Sequence, residues 1–235
     1  MERDYSAITP MARAAAVTVA LDMIEPGQTL GLGSGRSVWL LLDFMARKWP
    51  EGPPVRAAFA SEETRERARR IGIQSVELDG KRRLDLAIDG ADEVDDRLGL
   101  IKGGGAAMLR EKLVACAAER FVVTAEENKR VRRLGETRPL PVEVVRFGWA
   151  STRERLMELM PDAQLRTSDG IPVVTDEGNY IVDCHLPADG DLRALGDAVK
   201  LTVGVIEHGL FLDMADLVVL GTAEGQVITL EPQPT

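Results

Sequence analysis

The chain has 235 residues, of which 45% are hydrophobic and 29% charged, and its formal net charge is -9. It is long enough for one large domain or two unequal ones with a substantial core. The acidic balance argues against a nucleic-acid partner, whose phosphate backbone needs a basic surface, but a few local cations can still bind a small anion. No apolar run approaches membrane-spanning length, and the acidic start at Glu2 and Asp4 is unlike a secretory signal. We therefore expect a cytoplasmic protein without a membrane partner.

The cysteines and histidines predict no metal site. Cys116 falls in a predicted helix and Cys184 in a predicted strand, and we expect both to be buried free thiols, as is typical of a reducing compartment. His185 adjoins Cys184, and neighbours on a strand point to opposite faces, so these two residues cannot hold one ion together. His208 stands alone in the sequence. The sequence predicts neither a metal nor an organic cofactor.

In chain order, the first elements predict the start of a parallel βαβ unit. Residues 10–24 predict a helix with Pro10 in its first turn. Residues 29–32 predict a strand that enters a glycine loop at residues 33–37, and residues 38–48 predict the helix that follows. A strand, a glycine loop and a helix in this order are typical of parallel α/β sheets.

The glycine loop allows two interpretations. Gly33 and Gly35 permit positive φ, and the hydroxyls of Ser34 and Ser37 can bind a phosphate together with free N–H groups. The alternative is a turn with a packing role only. A dinucleotide fingerprint would need glycine or alanine at Arg36, and no Gly-Lys-Ser/Thr follows for a Walker loop. A phosphate monoester site is favoured, and Arg36 can either pair with the phosphate or face solvent.

Strands and helices continue to alternate as far as residue 124. Residues 61–70 predict a helix with Ser61 as its N-cap and a solvated face on which arginines and glutamates alternate. This alternation predicts an open, mostly parallel sheet with helices on both faces. Such sheets bind ligands at the carboxyl ends of their strands, where Ser34 and Asp89 fall. The further predicted strands lie at residues 55–60, 73–78, 84–88 and 121–124.

The central motif is Asp-Gly-Ala-Asp-Glu at residues 89–93, followed by Lys-Gly-Gly-Gly at residues 102–105. A helix predicted over residues 106–119 places Glu111 about two turns from its start and carries four apolar residues on one side, Leu109, Leu113, Val114 and Ala117. Three glycines before a helix let the backbone approach a ligand and leave free N–H groups. This combination of acid, base and cation predicts a reaction site. The alternative is a salt-bridge network that caps a helix.

The pattern changes near residue 138 to one typical of a small antiparallel α+β domain. An apolar run at residues 216–221 predicts a strand that returns to the first sheet, so the α+β part would be an insertion. We predict one domain from residues 1–134 and 211–235 and an inserted domain from residues 135–210. The insertion reads as strand, helix, hairpin, helix and strand at residues 142–147, 152–160, 171–183, 191–199 and 201–206.

Six segments together resemble the type A ribose-5-phosphate isomerase family, in the family's order and over about residues 10 to 230. The pair formed by the central motif and the triple glycine is highly specific, whereas the glycine loop alone is not. The six segments are Gly-Leu-Gly-Ser-Gly-Arg-Ser-Val at 31–38, Ile-Asp-Gly-Ala-Asp-Glu-Val at 88–94, Ile-Lys-Gly-Gly-Gly-Ala-Ala at 101–107, Leu-Pro-Val-Glu-Val at 140–144, Val-Thr-Asp-Glu-Gly-Asn at 174–179 and Ala-Asp-Leu-Val-Val-Leu-Gly at 215–221.

The resemblance implies a Rossmann-like sheet with an inserted ferredoxin- or ACT-like α+β domain. It also implies a homodimer or homotetramer that binds a sugar phosphate. Arg36 stands where many members carry a small hydroxyl residue, so its effect on phosphate binding is open. By motif, the catalytic positions are Asp89, Asp92, Lys102 and Glu111, and the substrate-binding positions are Ser34, Gly35, Arg36, Ser37, Gly90, Ala91, Gly103, Gly104, Gly105 and Lys129.

The chemistry of these residues suits an aldose–ketose isomerisation, which moves a proton from C2 to C1 through an enediolate. The reaction needs a carboxylate base and donors at the developing oxyanion. We assign the base to Glu111 and oxyanion stabilisation to Lys102 and the triple-glycine N–H groups. Asp92 would assist ring opening, and Asp89 would orient hydroxyls and Lys102. Two alternatives are a sugar-phosphate-sensing module without turnover and a coenzyme A transferase-like enzyme with a glutamate nucleophile.

Overall fold

The computed structural model describes residues 8–81 and 83–232. The helices of this part are α1 (Ile8–Asp22), α2 (Gly35–Lys48), α3 (Glu62–Arg70), α4 (Met108–Ala117), α5 (Trp149–Leu159) and α6 (Leu192–Leu201), with a short 3₁₀ helix at Glu127–Lys129. The strands are β1 (Thr29–Leu32), β2 (Arg56–Phe59), β3 (Gln74–Ser75), β4 (Leu86–Asp89), β5 (Glu93–Val94), β6 (Leu100–Ile101), β7 (Phe121–Glu126), β8 (Leu140–Val144), β9 (Ala163–Leu165), β10 (Thr167–Ser168), β11 (Ile171–Pro172), β12 (Tyr180–Cys184), β13 (Val205–His208), β14 (Leu210–Phe211), β15 (Leu217–Gly221) and β16 (Val227–Leu230).

The largest sheet has seven strands in the order β16-β15-β7-β4-β1-β2-β3. Its strand pairs are parallel except for β15 and the edge strand β16. In the centre, Leu32 of β1 lies opposite Ile88 of β4. The carboxyl ends of these two strands therefore coincide, which brings Ser34 close to Asp89. The open, mostly parallel sheet predicted from the sequence is confirmed, as is the return of β15 to it.

Alternate residues of each strand face two separate cores, because side chains alternate across a sheet. Leu30 and Leu32 pack in one core with α1 and α2, whereas Val123 and Ala125 pack on the other face with α4. Gly31 also faces α4, and a Cβ built there would lie 2.5 Å from Val114 Cγ1. A glycine at this position lets α4 approach β1, and the helix therefore starts beside the carboxyl end of that strand.

A second sheet of four antiparallel strands has the order β13-β8-β12-β9. Together with α5 and α6, its strands follow one another as βαββαβ, the connectivity of the ferredoxin-like fold. One face of β8 carries Leu140 and Val142, which pack with Leu156 of α5 and Val199 of α6. All four strands lie between residues 140 and 208, so we propose that residues 135–210 form an inserted domain and that residues 1–134 and 211–235 form the other.

The hairpin predicted over residues 171–183 is largely wrong. The turn is present, since Gly178 N donates to Thr175 O, but a single bridge between Val174 and Tyr180 is all that joins the two arms. β11 pairs with β10, and both edges of β12 are taken by β8 and β9. The Thr175 hydroxyl and the Asn179 amide instead hydrogen-bond the buried Glu143 carboxylate, so the turn is held by β8.

Several local predictions fail at α4 and α6. α4 begins at Met108, two residues later than predicted, so Glu111 lies in its first turn. Leu113 is 53% exposed and Cys116 is also exposed, because α4 contacts the sheet through Val114 and its neighbours. The burial of Cys184 is confirmed. The predicted strand at residues 201–206 is shortened, since α6 extends to Leu201 and β13 begins at Val205.

The predicted helix over residues 61–70 is confirmed. The Ser61 hydroxyl accepts the N–H of Thr64 at the start of α3, and three arginines of this helix pair with Glu63 and Glu66. Over the part of the chain that is described, none of the helices has the length and apolar character needed to cross a bilayer.

Candidate active site

A cleft of about 700 Å³ opens at the carboxyl ends of β1 and β4 and extends to the inserted sheet. It brings together all the residues that the sequence nominated. These are Ser34, Gly35, Arg36, Ser37, Asp89, Gly90, Ala91, Asp92, Lys102, Gly103, Gly104, Gly105, Glu111 and Lys129.

Lys102 is the buried centre of the cleft, with its side chain 3% exposed. Its Nζ lies 2.9 Å from Asp89 Oδ2 and 3.1 Å from Glu111 Oε2, and it donates to Gly90 O at 2.6 Å. Burial lowers the pKa of Lys102, but attraction to Asp89 and Glu111 outweighs it and leaves the pKa above its ordinary value. The ammonium is therefore charged; it donates a hydrogen to Gly90 O and lies in ion pairs with both carboxylates.

Asp89 is the last residue of β4 and forms an ion pair with Lys102. Its Oδ1 accepts the N–H groups of Ser34 at 3.1 Å and Gly90 at 2.7 Å, while Oδ2 faces Lys102. A Cβ built on Gly33 would lie 1.9 to 2.3 Å from the atoms of this carboxyl group. Gly33, which belongs to the glycine loop at residues 33–37, is therefore required for the close packing of Asp89 against β1.

Glu111 approaches Lys102 from the first turn of α4. Its Oε1 accepts the Ser34 hydroxyl at 2.6 Å. Its Oε2 lies in the ion pair with Lys102 but has no hydrogen bond of good geometry among the described residues, so its lone pairs remain for a substrate hydrogen. Burial and the negative charge of Asp89 raise the pKa of Glu111 to about 7, against the opposing effects of Lys102 and Ser34. Such a carboxyl group is half ionised near neutral pH, as a general base requires.

The triple glycine forms a tight loop between Lys102 and α4. Gly103 has a φ of +105°, and a Cβ built there would lie 2.7 Å from Met108 Cε. A Cβ on Gly104 would lie 2.7 Å from Asp92 Oδ1, and the N–H of Gly104 donates to Asp92 Oδ2 at 2.7 Å. These glycines therefore allow the loop to pass directly over Asp92.

The opposite end of the cleft suits an anion. α2 begins at Gly35, and the Ser34 hydroxyl does not cap it, so N–H groups of the first turn face the cleft without a side-chain acceptor. Arg36 is exposed at this helix start, and Lys129 also lines the cleft. Arg13 of α1 also lines the cleft, paired with Glu126. Arg13 was not predicted as a site residue. The feature that could have indicated it is a lone arginine in a helix rich in alanine and valine.

The contribution of the inserted sheet was also missed. Arg138, Arg166 and Asp183 line the cleft from this side. The buried Glu93 carboxylate, the last residue of the central motif, accepts the N–H groups of Gly135 at 2.6 Å and Arg138 at 2.8 Å. Glu93 thereby fixes the loop that carries Arg138 to the rim. These contacts join residues more than 40 positions apart, and no local pattern reports them.

Comparison with known proteins decides the family. The family model described as ribose 5-phosphate isomerase A (phosphoriboisomerase A) matches residues 57–225. The ribose-5-phosphate isomerase A of Roseiflexus castenholzii is 48% identical over 215 residues, which cover 90% of this chain and 92% of the relative. That of Cereibacter sphaeroides is 46% identical over 224 residues, which cover 92% and 85%. The chain belongs to the ribose-5-phosphate isomerase A family.

Solved structures of ribose-5-phosphate isomerases have the same fold. The Plasmodium falciparum structure superposes with a TM-score of 0.90 at 30% identity and covers 96% of this chain and 99% of its own. A second isomerase structure, in complex with phospho-erythronic acid, has a TM-score of 0.88 at 34% identity and covers 95% and 99%. The resemblance inferred from the six sequence segments is thereby confirmed.

Residues 8–81 and 83–232 contain no group of three or more His, Cys, Asp or Glu side chains arranged to hold a metal ion.

Proposed function

We propose that the protein interconverts D-ribose 5-phosphate and D-ribulose 5-phosphate with Glu111 as the general base. As a member of the ribose-5-phosphate isomerase A family, it is an aldose–ketose isomerase. The residue roles below rest on the geometry of the cleft. The observation that carries them is the buried contact of Lys102 with Asp89 and Glu111 at 2.9 and 3.1 Å.

The phosphate would bind where α2 begins. The first-turn N–H groups and the positive end of the helix favour an anion there, and Ser37 and Lys129 line the same end of the cleft. This orientation would direct the carbonyl end of the opened sugar toward Lys102 and the triple glycine. Asp92, which is only partly buried, would take the proton of the anomeric hydroxyl and deliver a proton to the ring oxygen as the bond between C1 and that oxygen breaks.

Proton transfer then involves the Oε2 atom of Glu111. When this oxygen takes the C2 proton, Glu111 becomes neutral and its attraction to Lys102 weakens. The ammonium can then turn a hydrogen toward the substrate oxygen just as negative charge develops there. A preorganised donor of this kind is worth roughly 3–4 kcal/mol of barrier. A proton passes from the hydroxyl on C2 to the oxygen on C1, and return of the carbon-bound proton to C1 then gives the ketose and restores the carboxylate.

Asp89 would act mainly on Lys102. Its two oxygens already contact two backbone N–H groups and the ammonium, and the residue is 3% exposed. Little of the carboxylate therefore remains for substrate hydroxyls, and we infer that Asp89 keeps Lys102 charged and in place. A sensing module without turnover is not favoured, because it would require the phosphate end but not a base and a lysine buried together.

The test is turnover of ribose 5-phosphate by the wild-type protein, Glu111→Gln and Glu119→Gln. Glu119 is exposed just beyond the same helix and serves as the matched control. We expect Glu111→Gln to lose a factor of about 10²–10⁴ in kcat, the usual contribution of a general base. Its KM for ribose 5-phosphate should stay within about threefold, as expected when only transition-state stabilisation is lost. Turnover by Glu111→Gln at the rate of Glu119→Gln would exclude this base, and an inert wild-type protein would exclude the function.

A further inference from the structure

The inserted sheet reaches the triple glycine through one side chain, Arg166. Its Nη1 lies 2.6 Å from Gly103 O and 3.3 Å from Gly104 O. Its Nε donates to Asp183 Oδ2 at 2.8 Å, and Nη2 faces the other oxygen of the same carboxylate. The side chains of Arg166 and Asp183 are 16% and 22% exposed. A bidentate, shielded pair of this kind fixes the guanidinium in orientation as well as position.

The strand register determines where this pair sits. β9 runs antiparallel to β12 with Gln164 opposite Asp183, and the N–H of Arg166 donates to Ile181 O just past the strand end. Asp183 in turn lies opposite Pro141 of β8, in the middle of the sheet. The guanidinium is therefore anchored to a central strand of the inserted sheet.

The contacts of Arg166 orient the peptide planes of the loop. In a trans peptide the C=O and the next N–H point in opposite directions. Gly103 O is held by Arg166, and the N–H of the same peptide unit donates to Asp92 Oδ2 at 2.7 Å. The bond to Gly104 O likewise leaves the N–H of Gly105 on the side away from Arg166. Glycine peptides rotate readily because no Cβ restricts them. The bonds from Arg166 therefore add a restraint to a turn that Ala106 N already closes on Gly103 O at 3.0 Å.

Arg166 also changes the electrostatics of these peptides. Arginine carries a permanent positive charge, and a charge-assisted hydrogen bond to a carbonyl polarises the peptide unit. Polarisation strengthens the N–H on the opposite side as a donor. The N–H that fixes Asp92 and the N–H of Gly105 would both become better donors.

We propose that Arg166, held by Asp183, is a positioning residue that orients the Gly103–Gly105 peptides and Asp92 for catalysis. This inference rests on the proposed isomerase function. The guanidinium acts through the loop, and the inserted domain is in this way part of the catalytic apparatus.

The variants that test this are Arg166→Met, Arg166→Lys and Asp183→Asn, with Arg155→Met as control. Arg155 is an arginine of the same domain that bonds Ser151 on its own helix. We expect Arg166→Met to lower kcat about 10- to 100-fold, at the lower end of what loss of an oxyanion donor costs, with KM changed less than about threefold. The kcat of Arg166→Lys should lie between those of the wild type and Arg166→Met, because lysine can reach a carbonyl but cannot form the bidentate pair with Asp183. Asp183→Asn should lower kcat about 3- to 10-fold, as expected for a weakened charge-assisted hydrogen bond.

Two ligand affinities and the amide exchange rates of two glycines distinguish a positioning role of Arg166 from other roles. Arg166→Met should weaken the binding of phospho-erythronic acid at least about 10-fold, because the carboxylate of this ligand resembles the enediolate. The affinity for inorganic phosphate should stay unchanged. Amide hydrogen exchange of Gly104 and Gly105 in the free protein should accelerate at least about 10-fold, as expected for local opening. Arg155→Met should match the wild type throughout.

Three results would overturn the inference: kcat of a folded Arg166→Met within twofold of wild type, an equal loss of inorganic phosphate affinity, or unchanged exchange at both glycines. If Arg166→Met does not fold, Asp183→Asn decides by the same criteria. The exchange measurement needs no turnover, so an inert wild-type protein would refute the isomerase function and leave this inference to be judged separately.

Discussion

Ser34 provides a sharp test of how the base is tuned. Its hydroxyl donates to Glu111 Oε1 at 2.6 Å and lowers the pKa of Glu111, which burial raises to about 7. A hydrogen bond to a charged group is worth about 1.5–3 kcal/mol, and one pKa unit corresponds to about 1.4 kcal/mol. Ser34→Ala should therefore move the pKa of Glu111 upward by about 1–2 units.

The assay is the pH dependence of kcat/KM for ribose 5-phosphate between pH 5.5 and 10. For the wild type, kcat/KM should rise with pH through about 7 as Glu111 ionises. In Ser34→Ala the rise should move to about pH 8–9, so that activity at pH 7 falls about 5- to 50-fold and largely recovers at high pH. The substrate phosphate titrates near pH 6 in both proteins and so does not move.

Ser37→Ala is the matched control, because Ser37 lines the phosphate end of the cleft and is not a hydrogen-bond partner of Glu111 in the structure. It should lower kcat/KM by a similar factor at every pH. An unshifted rise in Ser34→Ala, or a loss that is uniform across pH, would refute the conclusion that Ser34 tunes the base.

Three further predictions follow from burial and close contacts. Because the folded-state pKa of Glu111 is raised from 4.5 to about 7, its contribution to the free energy of unfolding falls as pH rises through this window. In urea titrations, the free energy of unfolding of Glu111→Gln relative to that of the wild type should increase by about 3 kcal/mol from pH 4.5 to pH 8. A difference that does not depend on pH would contradict this. Gly33→Ala forces a Cβ to within 2.3 Å of the Asp89 carboxyl group. We expect the free energy of unfolding measured in urea to fall by roughly 1–3 kcal/mol and kcat to drop strongly. The Cβ of Gly27→Ala meets no atom within 4 Å, so this variant should keep the kcat of the wild type. A thiol reagent should label Cys116 in the native protein and Cys184 only after unfolding, and rapid labelling of both would contradict the buried position of Cys184.

The sequence was most informative where glycines and carboxylates follow predicted strands. The strand before Asp89 and the triple glycine before α4 have local signatures, and parallel α/β sheets place such ends together. All nominated site residues consequently lie in one cleft.

The failures concern contacts that no local pattern encodes. Arg166 reaches Gly103 across 63 positions, and Glu93 holds a loop more than 40 positions away. Leu113 belongs to the predicted apolar side of α4 and Cys116 was expected to be buried, but both are exposed, because helical spacing alone does not specify which face meets the sheet. The hairpin at residues 171–183 failed because β12 pairs with β8 and β9, although the predicted turn is present.

The central claim is that Glu111 moves a proton between two neighbouring carbons of the sugar phosphate. Proton NMR of ribose 5-phosphate in D₂O tests it most directly, with wild-type protein and Glu111→Gln compared until the wild-type mixture reaches equilibrium. The claim predicts that deuterium enters at the reacting carbons with wild-type protein and that Glu111→Gln is slower by about 10²–10⁴. Deuterium incorporation by Glu111→Gln at the wild-type rate would contradict it.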